Sequence, residues 1–125
     1  MDNCEAEFLY EEKKSKFFSF FFYISDPSQI EKIILDMRAK HKKATHICHA
    51  VIYEGETYVC KCSDDGEPSG TAGRPILNVL EKQNKKNCMV VVVRYFGGIK
   101  LGAGGLVRAY TKAAAGVLAE VKGAN

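Results

Sequence analysis

Two stretches of the chain concentrate the side chains that do chemistry. The first, Asp64-Asp-Gly-Glu-Pro-Ser-Gly-Thr71, sets three carboxylates (Asp64, Asp65, Glu67) beside two hydroxyls (Ser69, Thr71). Such a set can hold a magnesium ion or act as acid and base, and Gly66 and Pro68 fix the directions of the side chains. Asp, Gly, Pro and Ser also build ordinary turns, so a purely local role stands beside the catalytic one. His46 is a candidate third member, set against the commoner role of a packed, hydrogen-bonded histidine. No nucleophile has an evident base.

The second stretch, Arg94-Tyr-Phe-Gly-Gly-Ile-Lys-Leu-Gly-Ala-Gly-Gly-Leu-Val-Arg108, holds five of the eleven glycines and joins an apolar run to a helical pattern. A glycine-rich passage into a helix start presents free backbone amides to an anion, and Arg94, Lys100 and Arg108 add charge. We read Arg94, Gly97, Gly98, Lys100, Gly102, Gly104, Gly105 and Arg108 as a site for a phosphate-sized anion. The bland alternative is a tight turn that lets the helix pack closely. No Gly-Lys-Ser/Thr closes the segment as in a P-loop, and Val107 stands where the dinucleotide fingerprint needs its third glycine. Arg94 follows Met89 to Val93, so its guanidinium is expected at the rim, reaching solvent or a phosphate, and Arg94→Lys is expected to weaken binding by losing the fork.

The surrounding elements follow from periodicity. Lys16 to Ile24 packs five phenylalanines into a strand apolar on both faces. Asp26-Pro27 opens a helix over about 27 to 41 with Ile30, Ile33, Ile34 and Met37 on one stripe. His46 to Tyr53 and Thr57 to Ser63 form a hairpin about Glu54-Gly55-Glu56. Thr71 caps a second helix over about 72 to 83. Cys88 to Val93 is a central strand, and Leu106, Tyr110, Ala113, Ala114, Val117 and Val121 line a last helix. The order is β-α-β-β-α-β-α: an α+β fold, helices on a sheet.

Size and composition bound the function. A chain of 125 residues, 46% hydrophobic and 26% charged, is one globular domain, read over 1–125, that hides about two thirds of its extended surface. Phe17 to Ile24 and Met89 to Val93 fall short of the roughly 18 residues a membrane helix needs, and an acidic start does not suit a signal peptide, so a cytoplasmic protein is expected. The net charge of +3 excludes a nucleic-acid claim from total charge alone, although Lys13, Lys14 and Lys16, Arg38 to Lys43, and Lys82 to Lys86 form basic clusters. Cys4, Cys48, Cys60, Cys62 and Cys88 are odd in number and lack C-x-x-C spacing, so reduced, buried thiols are expected. His46 and His49 point to opposite strand faces, which argues against zinc with Cys60 and Cys62. No metal and no cofactor are expected.

Lys14-Ser-Lys-Phe17, Thr45-His46, Asp64 to Ile76 and Arg94 to Tyr110 together resemble the N-terminal domain of the YigZ/IMPACT family, over roughly 12 to 118. The resemblance implies a two-layer α/β sandwich of the ribosomal-protein second-domain type. It further implies RNA or ribosome contact, or a translation-regulatory protein partner. The second, ferredoxin-like domain of bacterial members is expected to be absent. The Asp64 to Thr71 loop set opposite the glycine loop makes a small-molecule hydrolase, peptidase or phosphate-type, the competing expectation. A peptidase activity is associated with the family, although the sequence supplies no paired metal ligands for it, and the resemblance gives a protein-binding regulator as the third. The two loops share a cleft only if they meet at one end of the sheet.

Overall fold

The computed structural model describes residues 4–122. Five antiparallel strands, β1 (Cys4–Glu12), β2 (Ser15–Tyr23), β3 (His46–Glu54), β4 (Tyr58–Ser63) and β5 (Cys88–Tyr95), lie in the order β1-β2-β5-β3-β4. The helices are α1 (Ser28–Lys40), α2 (Gly73–Lys82) and α3 (Gly102–Ala119). From β2 onward the order is the one expected from the sequence. Ahead of it lies β1, an edge strand that the sequence reading did not assign.

β5 is central because it can be: Cys88 to Arg94 are all buried, and each valine removed from water on both faces contributes about 1.5 kcal/mol or more. Alternate residues of β2 serve opposite faces. Phe17 and Phe21 meet α2 and α3 through Ile76, Leu80, Tyr110 and Ala114, whereas Phe20 and Phe22 join Ile33 and Met37 of α1 across the sheet. The sheet with α2 and α3 makes the expected sandwich, and α1 covers part of the far face.

Local chemistry departs from expectation in two places. The first free amides of α2 are capped by Asp64 from the preceding loop: its Oδ1 accepts from Ala72 N (3.1 Å) and Gly73 N (2.8 Å). Thr71 instead donates to the Pro68 carbonyl at 2.6 Å, since its hydroxyl is turned into the loop. Cys48 and Cys88 are buried as expected, but Cys60 and Cys62 are exposed, because β4 is the edge of the sheet. Among the described residues, no helix is long and apolar enough to cross a membrane.

Candidate functional site

The acidic loop and the glycine loop do meet. At the end of the sheet where β5 finishes and β3 begins, a cleft of about 410 Å³ is walled by Glu67 and Pro68 on one side and by Lys100, Leu101, Gly102 and Ala103 on the other. Thr45, His46 and Arg94 lie between, with Phe96 and Leu106 completing the apolar lining. β5 delivers Arg94, β3 delivers His46 through the register pair His46–Arg94, and α3 starts at the cleft wall.

Glu67 is the hub. The residue is 7% exposed, and its carboxylate accepts from Arg94 Nη1 with both oxygens, at 3.0 and 2.8 Å. Tyr110 of α3 donates its hydroxyl to Oε2. Burial drives the Tyr110 phenol far above its ordinary pKa, and the neighbouring Cys48 thiol and Glu67 carboxylate push the same way, so it remains a donor. His46 Nδ1 lies 2.9 Å from the Asp65 carbonyl, which only a protonated nitrogen satisfies, and Nε2 therefore faces Glu67 Oε1 at 3.4 Å.

Arg94 does not reach solvent. It is 5% exposed, its Nε and Nη2 donate to Ser15 Oγ at 3.4 and 3.3 Å, and its guanidinium carbon lies 5.5 Å from the ring centroids of both Phe17 and Phe96. The expectation of an open guanidinium at the rim is corrected accordingly: a buried cation is stable only with its charge matched and its donors filled, and Glu67 and Ser15 do both. In the floor of the cleft the ion pair cancels its own charge.

The other acidic-loop candidates hold the loop in shape. Asp64 Oδ2 also accepts from Gly70 N at 2.8 Å; burial alone would raise this carboxyl, but its three backbone donors outweigh that and lower its pKa. Asp65, at φ 41°, accepts from Ile47 N at 2.7 Å and pairs with Arg38 at 3.0 Å. Ser69 is exposed and outside the cleft lining, and Thr71 is turned inward. Of the six catalytic candidates, His46 and Glu67 reach the cleft.

Five residues of the anion set divide between two clefts, and Gly97, Gly98 and Gly104 line neither. Arg94, Lys100 and Gly102 line the cleft, whereas Gly105 and Arg108 line a smaller neighbour of about 180 Å³ with Glu12, Lys13 and Lys112; Leu101 borders both. Gly97 serves packing: a Cβ there would sit 2.0 Å from the Lys14 carbonyl oxygen. Gly98 lies exposed in the turn. Gly104 differs from Gly97, since an added Cβ would meet nothing nearer than Arg108 Nη1 at 3.5 Å and its φ is helical. Sequence reasoning missed Ser15, Tyr110 and Phe96. Tyr110 carried a core signal only, while Phe96, an aromatic between a cation and a glycine pair, was a legible sign of a ring at a rim. Lys13 and Lys14, both at positive φ (47° and 67°), form the β1–β2 turn beside Gly97, a conformation that costs non-glycine residues about 1 kcal/mol or more each.

Among the described residues, no three His, Cys, Asp or Glu side chains are placed to hold a metal ion. His49, on the α1 face, has its pKa lowered to about 4 by burial, with Arg38 and Lys61 adding to the effect against Asp65.

Comparison with known proteins supplies the family. The Impact N-terminal domain profile matches residues 13–118. IMPACT family member YvyE of Bacillus subtilis is 47% identical over 100 residues, 80% of this chain and 46% of that protein; IMPACT family member YigZ of Escherichia coli is 40% identical over 78% and 49%. The chain thus spans about half the length of these relatives. Protein IMPACT of Homo sapiens is 43% identical over 61% of this chain and 25% of its own. A crystal structure described as a hypothetical protein superposes with TM-score 0.87 at 36% identity, covering 94% of this chain and 58% of that one. The two-domain translational regulator Yih1 superposes at 0.66 with 22% identity, over 95% and 47%, a likeness of fold. With a profile match running from the β1–β2 turn to the end of α3, and a bacterial relative nearly half identical, the chain belongs to the Impact N-terminal domain family.

Proposed function

We propose that this domain is a cytoplasmic nucleic-acid-binding module that acts on or beside the ribosome in the regulation of translation. The observation that carries the reading is the gathering of cations at one end of the sheet. Lys100 stands at the larger cleft, Lys13, Arg108 and Lys112 at the smaller one beside it, and Lys14 at the turn against Gly97. Glu67 is neutralised by Arg94, and Glu12 in the smaller cleft is outnumbered by Lys13, Arg108 and Lys112, so the charge of these residues is net positive despite a chain total of only +3. Clustered cations attract a phosphate backbone where total charge would not. Lys100 and the open backbone at Gly102 in the cleft wall, with exposed Gly104 just beyond it in the first turn of α3, make the phosphate contacts, and Arg94 positions the floor beneath them. The description of one structural neighbour, the translational regulator Yih1, supports the setting.

The test is fluorescence anisotropy with a labelled RNA at low and moderate salt. Affinity is expected to fall steeply as salt rises, and Lys100→Ala with Arg108→Ala to weaken binding and lower the salt slope by about one for each cation removed. Absence of binding at low salt, or a double variant indistinguishable from wild type, overturns the reading.

A hydrolase is the second reading, favoured by His46 Nε2 facing Glu67 Oε1 at the cleft floor, an acid–base pair within reach of a bound ester or amide. A screen of phosphate esters and peptides decides it: turnover lost in His46→Gln supports it, and no turnover by the wild type removes it.

A further inference from the structure

We infer that the larger cleft takes a single unpaired nucleotide, its base laid against the ring of Phe96 and its phosphate against Lys100; this rests on the nucleic-acid reading above. The cleft's volume, about 410 Å³, lies in the range of sites that enclose one small ligand and is far too small for a helical segment of nucleic acid. Its walls are unlike a simple phosphate cradle. Pro68, Phe96, Leu101 and Leu106 make it apolar, and a phosphate alone gains nothing from such walls, whereas a planar base does.

Phe96 is the residue that asks for an explanation. A phenylalanine left 47% exposed at a rim is not serving the core, yet it is held in place: its amide donates to Thr45 Oγ1 at 2.9 Å, and the guanidinium carbon of Arg94 lies 5.5 Å from its ring centroid. The backbone is anchored, a buried cation lies against the ring, and nearly half of the residue stays open to solvent, an arrangement that suits a stacking platform. Lys100 lines the same cleft, and its flexible ammonium suits the phosphate joined through the sugar to the stacked base. Bases in a duplex are already stacked on their neighbours and cannot enter, so the arrangement selects single-stranded segments, bulges or ends.

The experiment compares one labelled ten-nucleotide RNA, single-stranded and annealed to its complement, against the full chain. Roughly tenfold tighter binding of the single strand is expected, with Phe96→Ala costing it about 5- to 100-fold and leaving the duplex unchanged, while Phe96→Tyr restores the single-strand affinity. Because Phe96 is half exposed, its variants should keep the wild-type thermal midpoint, and that is measured alongside. Equal affinity for both RNAs, or a Phe96→Ala variant that binds the single strand as well as wild type does, overturns the nucleotide cleft while leaving the nucleic-acid reading intact. No binding of either RNA overturns both.

Discussion

Glu67 illustrates how one carboxylate can fix a site. It takes two bonds from Arg94, one from Tyr110 and faces His46, thereby joining the acidic loop to β5, α3 and β3. Removing one partner of a buried pair leaves the other charge uncompensated, at a cost of about 3–5 kcal/mol. Glu67→Gln is therefore expected to lower the thermal midpoint by on the order of 10 °C, and Arg94→Lys, which keeps charge but not the fork, by less; calorimetry on both checks this, and an unchanged midpoint in Glu67→Gln sinks the hub assignment. The sequence marked Glu67 as one of six candidates and could go no further. Its partner Arg94 is 27 residues away, Tyr110 is 43, and nothing local distinguishes an inward carboxylate from the capping Asp64 or the paired Asp65.

At the scale of elements, periodicity was a good guide wherever burial was strong. The phenylalanine run, the valine strand and the stripes of α1 and α3 are spaced as the buried faces require. β1 escaped because its outward positions are Glu5, Glu7, Leu9 and Glu11, and glutamate is a poor strand former; the alternation of Ala6, Phe8 and Tyr10 was its only signal. The cleft itself is a product of where α3 begins. Gly104 occupies its first turn without steric need, so Gly104→Ala is expected to stabilise the domain by up to about 1 kcal/mol while weakening RNA binding by covering the backbone. Unfolding in urea and anisotropy on the same variant check the two halves. Stabilisation without loss of affinity would make the glycine incidental.

For the molecule as a whole, acid should be the sensitive direction. In the unfolded chain His49 takes its proton near pH 6.5; in the fold it does so only near 4. The neutral ring therefore contributes stability above pH 6.5 that is lost as pH falls toward 4. The loss is at most about 3 kcal/mol, and less for the part of the ring that water still reaches. Asp64, with its pKa lowered, loses its capping bonds only at still lower pH. His49→Gln should flatten the fall in thermal midpoint between pH 6.5 and 4 while leaving the steeper acid limb; an unaltered profile would show that the ring stays hydrated.

The two outermost elements in sequence are also partners in space. Phe8 of β1 lies where a side chain on Gly116 of α3 would have to be, with its ring 2.2 Å from the site of the missing Cβ. Ser19 of β2 ties both together, its single hydroxyl proton shared between the Ala113 carbonyl at 2.9 Å, 94 residues away, and the Phe8 carbonyl at 3.2 Å. During synthesis the first hairpin leaves the ribosome long before the helix that must cover it. Its inner face, Phe17 and Phe21 included, is not fully covered until α3 is clear of the exit tunnel, so the last step of closing the domain waits for its final helix.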